Sequence, residues 1–229
     1  MKLRLTVLLS LLTLVVSCQG DEKNPNLERD LAAATEALKS GKDTGAILSD
    51  PAYVSLHPEP PFRDLIRRHA TAKSVLVTPQ EPGSPLVVTG VVKDDAGKPI
   101  AGAMVYVFHT DHRGYYSATS AFAGSQADNS NRSRLFGYLK TDGEGKYEYR
   151  TIRPAGYPNA KIPQHVHYEV TADGYKTNVT ELMFEDDPRL TAEAKQSALR
   201  AKFIISPVRK DDKGVEHCTC DIVLVRSKG

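Results

Sequence analysis

The sequence predicts an all-β protein, an antiparallel β-sandwich preceded by a short N-terminal helical segment. From about Ser74 onward, apolar and polar residues alternate with a period of two, and turns containing glycine and proline interrupt the alternation. Short strands at this spacing are typical of two packed sheets. Before them, apolar residues recur at helical spacing between residues 27 and 38, and this pattern ends near Gly41.

The individual elements are predicted from the same patterns. Residues 86–92 form a strand, residues 94–99 a turn, and residues 103–108 the returning strand. Residues 191–200 are predicted to form a helix, and the four prolines between residues 51 and 62 predict an irregular segment. The remaining predicted strands are residues 146–152, 165–172, 202–206 and 221–226.

Composition excludes several classes of protein. Of the 229 residues, 40% are apolar and 25% are charged, which is typical of globular rather than disordered chains. A net charge of +2 is too weak to indicate a nucleic-acid partner. Three cysteines cannot build a disulfide scaffold, and Cys218 and Cys220 are interpreted as small, half-buried residues at a strand start rather than as a redox or metal pair.

The N-terminus has the pattern of an export signal. Lys2 and Arg4 precede an apolar stretch, residues 5–16, that is too short to cross a bilayer. It ends in VVSC at residues 15–18, which resembles the lipobox of bacterial lipoproteins and predicts lipidation of Cys18. An ordinary secretory peptide with an incidental cysteine is the alternative.

The predicted division of the chain follows from this signal. Residues 1–17 are the lipoprotein signal peptide, residues 18–60 a tether with the short helical segment, and residues 61–229 the sandwich. The signal contains two basic residues and no acidic residue, so its removal leaves a neutral chain. Gln19 after the cysteine favours the outer membrane of a bacterial envelope, with the lipid as the membrane anchor.

The predicted hairpin has a family resemblance of its own. Residues 90–103, GVVKDDAGKPIAGA, resemble the first hairpin of prealbumin-like sandwiches, which non-catalytic carboxypeptidase regulatory-like modules share. This stretch therefore supports a fold and not a reaction.

Two histidines indicate a metal site. His165 and His167 are two residues apart on a predicted strand, so that both imidazoles project from one face and can bind one ion. Glu169 continues that face, which leaves open a 2-His-1-carboxylate site for Fe(II), Mn(II) or Zn(II). A chance pair of histidines is the simpler alternative.

Two tyrosines favour a different ligand set. Tyr116 follows the second strand of the hairpin, and Tyr157 lies between Gly156 and Pro158 in a tight loop before His165. A free phenol has a pKa of about 10, and a trivalent cation deprotonates it. Hard Fe(III) prefers such oxygen anions, and imidazoles can complete the set.

These motifs together resemble the intradiol ring-cleavage dioxygenases, the family of catechol and protocatechuate dioxygenases. The resemblance extends from about residue 78 to residue 187. The matching segments are FHTDHRGYYS at 108–117, TDGEGKY at 141–147, TIRPAGYP at 151–158 and PQHVH at 163–167.

The resemblance implies a non-haem Fe(III) enzyme that uses O2 to cleave a catechol between its hydroxyls, giving a cis,cis-muconate. It implies Tyr116, Tyr157, His165 and His167 as the iron ligands, with both tyrosines catalytic and Tyr157 the ligand that leaves when substrate binds. No organic cofactor is expected, because the chain has no Walker or GxGxxG loop. Some relatives form dimers, and the sequence leaves open whether this chain forms a homodimer.

Two positions depart from the family pattern. The family usually has an arginine that contacts substrate where this chain has Ile162, beside Lys161, and Glu181 replaces a family glutamine. Lys161 or Arg153 could supply the missing cation, or both could be surface charges. These departures concern substrate preference, and the alternative to an enzyme is a non-catalytic, prealbumin-like binding module of an envelope lipoprotein.

Overall fold

The N-terminal region contains more helix than the sequence predicts. The computed structural model describes residues 25–117, 133–158 and 160–227, so the predicted signal peptide and Cys18 lie outside the described residues. The helices are α1 (Leu27–Lys39), α2 (Thr44–Leu48), a 3₁₀ helix (Pro51–Leu56), α3 (Pro60–Arg68) and α4 (Ala192–Arg200). The predicted helices at 27–38 and 191–200 are confirmed as α1 and α4, and the Thr191 side chain caps α4 by accepting from the Ala194 backbone N–H.

The expectation of an irregular segment between residues 51 and 62 is wrong. The 3₁₀ helix begins at Pro51 and α3 begins at Pro60, with prolines in the first turn of each. A proline there removes only a backbone N–H that has no partner within the helix, and its fixed φ suits helical geometry. The Asp50 carboxylate caps the 3₁₀ helix by accepting from the Ala52 backbone N–H.

The strands form two sheets. In chain order they are β1 (Lys73–Val75), β2 (Pro85–Asp94), β3 (Met104–His109), β4 (Leu135–Lys140), β5 (Lys146–Ile152), β6 (His165–Thr171), β7 (Asn178–Phe184), β8 (Ile204–Ser206), β9 (Arg209–Lys210), β10 (Glu216–Thr219) and β11 (Ile222–Leu224). One sheet has the order β1-β5-β2-β10-β9, with β11 also pairing with β2. The other has the order β4-β3-β6-β7-β8.

The strand pairing is mixed and not wholly antiparallel as predicted. Five pairs are antiparallel: β2 with β5, β9 with β10, β3 with β4, β3 with β6, and β6 with β7. Four pairs are parallel: β1 with β5, β10 with β2, β11 with β2, and β7 with β8. These parallel partners are separated by long stretches of chain, and no hairpin turn forces them to run in opposite directions. The alternation of residues predicts a strand, but it does not predict the direction of its partner.

Period-two alternation on β6 determines where the histidines point. Val166, Tyr168 and Val170 are buried, and the hydroxyl of Tyr168 lies 2.5 Å from that of Tyr149 in the other sheet. These side chains therefore fill the space between the sheets. His165 and His167 consequently lie on the opposite face of the five-stranded sheet. On that face, Arg63 of α3 packs over the ring of Phe136 in β4.

The two remaining cysteines are buried thiols without a disulfide. Burial raises the pKa of both Cys218 and Cys220 to about 12, which keeps them protonated and unreactive at neutral pH. Their interpretation as small residues packed at a strand fits this environment. Within the described residues, no helix has the length and apolar character needed to cross a membrane.

Candidate metal centre

Four side chains from three sequence motifs converge on one point. The hydroxyl oxygens of Tyr116 and Tyr157 are 2.5 Å apart, and the Nε2 atoms of His165 and His167 are 3.1 Å apart. The Tyr116 hydroxyl lies 2.8 Å from Nε2 of His167, and the Tyr157 hydroxyl lies 3.2 Å from Nε2 of His165. The structure thus brings together all four residues that the sequence predicts as ligands.

Hydrogen bonds on the far side of each ring orient the histidines. Nδ1 of His165 lies 2.7 Å from the Pro163 carbonyl oxygen, which can only accept, so Nδ1 carries the proton and Nε2 has a free lone pair. Nδ1 of His167 lies 3.3 Å from Oε1 of Glu181, which favours the same tautomer. Phe108 stacks on His167, with ring centroids 4.6 Å apart and planes inclined by 15°.

A tight turn after β3 presents Tyr116. The carboxylate of Asp111 accepts from the backbone N–H groups of Arg113 and Tyr115. Gly114 adopts a φ of +89°, and a side chain there would place Cβ 2.5 Å from the Gly156 carbonyl oxygen. Gly114 therefore allows both the turn and the close approach of the loop that carries Tyr157.

A second set of contacts ties the two tyrosine loops together. The Thr110 hydroxyl donates to the Ala155 carbonyl oxygen at 2.7 Å, and the Ala155 N–H donates to the Asp111 carbonyl oxygen at 3.1 Å. One residue earlier, Nε2 of the buried His109 lies 2.8 Å from the hydroxyl of Thr151 at the end of β5. These contacts hold the segment from 109 to 111, which precedes Tyr116, against the end of β5 and the loop that carries Tyr157.

Burial determines whether the two phenols and the imidazole of His165 carry a proton. Burial raises the pKa of Tyr116, and the neighbouring Tyr157 raises it further. Burial also raises the pKa of Tyr157 and lowers the pKa of His165. Without a cation these phenols keep their protons, whereas a trivalent ion stabilises the phenolates. Two phenolate oxygens with two neutral imidazoles are a donor set that fits Fe(III).

The carboxylate beside the two histidines is that of Glu181 on β7, and not that of Glu169 on β6, which the alternative 2-His-1-carboxylate site would use. Glu169 is exposed, and the described group of His, Cys, Asp and Glu residues that could share an ion is His165, His167 and Glu181. Glu181 lies opposite His167 in the register of β6 and β7. It faces Nδ1 of that ring, whereas the tyrosines face Nε2, so Glu181 lies behind the histidine.

The other three residues predicted to bind substrate differ in exposure and in their partners. Lys161 and Ile162 are exposed, Ile162 by 43% of its surface. Arg153 makes a two-point ion pair with Asp186 at 2.7 and 2.9 Å, and its Nε donates to the Gln164 side chain at 2.7 Å. Arg153 therefore holds the side chain of Gln164, the residue before His165, in place.

Two further residues near the site have no counterpart among the predicted site residues. The buried carboxylate of Asp187 accepts from the Gln164 backbone N–H at 2.5 Å. Arg189 donates from Nη1 to the Tyr157 carbonyl oxygen at 3.2 Å. Both follow β7 in a turn of ordinary composition, so no local signal distinguishes them.

The fold is that of a β-sandwich protein with a few helices, and the side-chain cluster is a candidate metal site within it. Residues 59–225 match a family model described as "Dioxygenase". The chain is 30% identical over 192 residues to catechol 1,2-dioxygenase 1 of Acinetobacter lwoffii, covering 77% of this chain and 57% of that one. It is 33% identical over 149 residues to chlorocatechol 1,2-dioxygenase of Rhodococcus opacus, covering 58% of this chain and 55% of the relative.

Solved structures agree with the sequence relatives. The dioxygenase domain of a carbohydrate-binding fusion from Streptomyces sp. SirexAA-E is 26% identical, with a TM-score of 0.54 and coverage of 69% of this chain and 90% of that one. The A72G mutant of Acinetobacter radioresistens catechol 1,2-dioxygenase is 25% identical, also with a TM-score of 0.54, covering 69% and 58%.

The chain belongs to the intradiol ring-cleavage dioxygenase family, which uses non-haem iron. It spans less than two thirds of the length of the two curated relatives described above.

Proposed function

We propose that this protein is a non-haem Fe(III) dioxygenase that cleaves a catechol-type ring between its two hydroxyls with O2, giving a cis,cis-muconate-type product. The observation that carries the proposal is the convergence of Tyr116, Tyr157, His165 and His167 in a chain of this family. A catechol-type substrate is proposed because the two relatives described above are named as catechol and chlorocatechol 1,2-dioxygenases.

The residues present suit distinct roles in this reaction. Bound iron would draw electron density from the substrate ring and make it reactive towards O2. Tyr116 is 3% exposed and packs beside Phe108 and His167, so it is the permanent oxygen donor. Tyr157 is only partly buried and lies on a loop, which suits the ligand that leaves. Its phenolate oxygen can then take a proton from a catechol hydroxyl.

The proposal is tested by iron loading of the purified chain. We expect about one iron per chain, a reddish colour from tyrosinate-to-iron charge transfer, and O2 uptake when catechol is added. Tyr157→Phe and His165→Ala should each lose O2 uptake, and each should lose or shift the colour, since only Tyr116 remains as a tyrosinate in Tyr157→Phe. Tyr115→Phe is the matched control, because Tyr115 adjoins Tyr116 but lies beside Arg113; its colour and activity should be unchanged.

The outcomes also separate the alternatives. Protein that stays colourless and iron-free after reconstitution would indicate the non-catalytic binding module. A divalent ion held by His165, His167 and Glu181 would survive Tyr116→Phe, whereas the proposed site would not. Oxygen uptake against a panel of plain, carboxylated, hydroxylated and aryl-substituted catechols then identifies the substrate.

We also propose that the enzyme is tethered in a bacterial envelope through lipid on Cys18, at the outer membrane. The support is the sequence VVSC at residues 15–18 after a basic and apolar segment. Labelling cells with an alkyne fatty acid should mark the full chain, and Cys18→Ala should abolish the label. A labelled Cys18→Ala variant would contradict the assignment.

A further inference from the structure

We propose that Arg189 is a positioning residue that holds Tyr157 in its ligand position and so sets how readily this tyrosine gives way to substrate. The inference rests on the proposed function, in which Tyr157 is the ligand that leaves. It starts from an exposed arginine in the turn after β7, whose guanidinium reaches the backbone of the loop that carries Tyr157.

The guanidinium of Arg189 contacts two consecutive residues of that loop. Its Nη1 atom donates to the Tyr157 carbonyl oxygen at 3.2 Å. The preceding residue is Gly156, and a Cβ there would overlap the same Nη1 atom and lie 3.0 Å from the Ile162 carbonyl oxygen. The missing side chain of Gly156 therefore leaves the space that the guanidinium fills.

The turn after β7 fixes the backbone from which Arg189 extends. One carboxylate oxygen of Asp187 accepts from the Arg189 backbone N–H at 2.9 Å. The other accepts from the Gln164 backbone N–H at 2.5 Å. One turn therefore holds the backbone just before His165 through Asp187 and the backbone at Tyr157 through Arg189.

Another anchor of the loop lies two residues before Tyr157. Ala155 bonds through both its N–H and its carbonyl oxygen to the segment 109–111. At Tyr157 the carbonyl oxygen accepts from Arg189 and also from the Ala160 N–H at 3.3 Å, a bond within the loop itself. The contact with Arg189 thus links this carbonyl to a separate part of the fold.

This contact biases Tyr157 between its bound and its released position. The ring is only partly buried, and its hydroxyl lies 3.2 Å from Nε2 of His165. A hydrogen bond at the carbonyl fixes the backbone from which the ring extends, so it favours the position beside His165. Because a catechol must displace the phenol, any contact that favours the bound position opposes substrate binding. Loss of the Arg189 side chain should therefore strengthen catechol binding, whereas loss of a substrate-contacting residue would weaken it.

The test compares Arg189→Gln with Arg200→Gln in the full chain. Both arginines are exposed, but Arg200 donates to the Ser197 hydroxyl within α4. Three quantities are measured: the hydrogen-exchange rate of the amides of residues 155–157 in the iron-free chain, the intensity of the tyrosinate-to-iron band in the resting iron-loaded chain, and the Kd of catechol for the iron-loaded chain without O2.

For Arg189→Gln we expect exchange about tenfold faster, a weaker resting band, and a Kd of catechol lowered about fivefold, since a hydrogen bond from a charged donor is lost. Arg200→Gln should match the parent in all three. Unchanged exchange or weaker catechol binding in Arg189→Gln would overturn this inference and leave the proposed function intact. A parent protein that takes up no iron would overturn the proposed function and this inference with it.

Gly156→Ala displaces the guanidinium by a second route. The added Cβ would overlap Nη1 of Arg189, so the flexible side chain has to move away while its charge stays in the chain. Exchange and catechol binding should change in the same direction as in Arg189→Gln. The double variant should show no more than the larger single effect, because both substitutions remove one contact. Additive effects would show that the two residues act separately and would contradict the inference.

Discussion

Gly114 is the residue on which the approach of the two tyrosine loops depends. It combines a φ of +89° with a neighbouring carbonyl, that of Gly156, only 2.5 Å from where a Cβ would lie. We expect Gly114→Ala to separate the loops, to lower the iron affinity of the chain, and to reduce the free energy of unfolding by about 2 kcal/mol or more. Iron titration and denaturant unfolding measure the two effects.

The matched control for this substitution is Gly97→Ala. Gly97 has a similar φ of +82° but nothing within 4 Å of the added Cβ, so only the backbone strain of about 1 kcal/mol applies. Its iron affinity should equal that of the parent. Equal iron affinity in Gly114→Ala would show that the loop approach is not needed for the site.

Thr151 tests the contact on which the buried His109 depends. The Thr151 hydroxyl lies 2.8 Å from Nε2 of His109, and both residues are buried. Thr151→Val keeps the shape but leaves that ring nitrogen without its partner, which should cost about 1–3 kcal/mol in the free energy of unfolding. Thr71→Val is the control, because Thr71 is exposed and its hydroxyl donates to the carbonyl oxygen of Lys73, two residues away. A loss no larger in Thr151→Val than in the control would contradict this role.

At the scale of elements, the sequence predicted those strands whose alternation is clear. The predicted strands at 146–152 and 165–172 match β5 and β6 within one residue. β4 was missed because nearly all of its residues are buried and Gly137 at its centre lies against Leu76, so one face does not stand out. β4 therefore has no period-two pattern to detect.

The candidate site was predictable to a similar extent. The four predicted ligands lie inside three short motifs, with His165 and His167 sharing one, and the resemblance of these motifs to a known family was enough to group them as one ligand set. The contact between Glu181 and His167 depends on the register of β6 against β7. That register is set by tertiary packing and not by local pattern, so Glu181 was predicted near substrate rather than behind a ligand.

The segment that leads into β6 depends on the turn after β7. The Asp187 carboxylate accepts from the backbone N–H groups of Gln164 and Arg189, at 2.5 and 2.9 Å. Asp187→Ala should leave the Gln164 N–H without a partner, lower the free energy of unfolding by about 1–3 kcal/mol, and weaken iron binding through His165. Unfolding curves and iron titration check both parts.

Glu185→Ala is the control for that element. Glu185 lies in the same turn but pairs with Lys195 at the surface, with both side chains about half exposed. Exposed pairs contribute about 0–1 kcal/mol, so its stability and iron affinity should stay close to those of the parent. A similar loss of iron binding in Asp187→Ala and Glu185→Ala would contradict a specific role of the Asp187 carboxylate, because any disturbance of the turn would then be enough to weaken iron binding.

The whole molecule should lose stability in mild acid because buried histidines, His57 and His109 among them, resist protonation. Burial lowers the pKa of His57 and of His109 from 6.5 to about 4. Between pH 6.5 and about 4, these histidines bind protons in the unfolded chain but not in the folded chain. The free energy of unfolding is therefore fully retained above pH 6.5 and falls as the pH drops to about 4, by roughly 3 kcal/mol for each histidine.

The pH dependence of the free energy of unfolding separates the effect of His57 protonation from the effect of His57 packing. His57 stacks on Phe62, and its Nδ1 lies 2.7 Å from the Arg134 carbonyl oxygen. His57→Gln lowers stability at every pH, but it also removes one titrating group, so the decline between pH 6.5 and 4 should become less steep. Exposed His217 offers the control, and His217→Gln should leave most of the slope intact. Denaturant unfolding at a series of pH values gives the slopes, and an unchanged slope in His57→Gln would exclude His57 as a source of acid sensitivity.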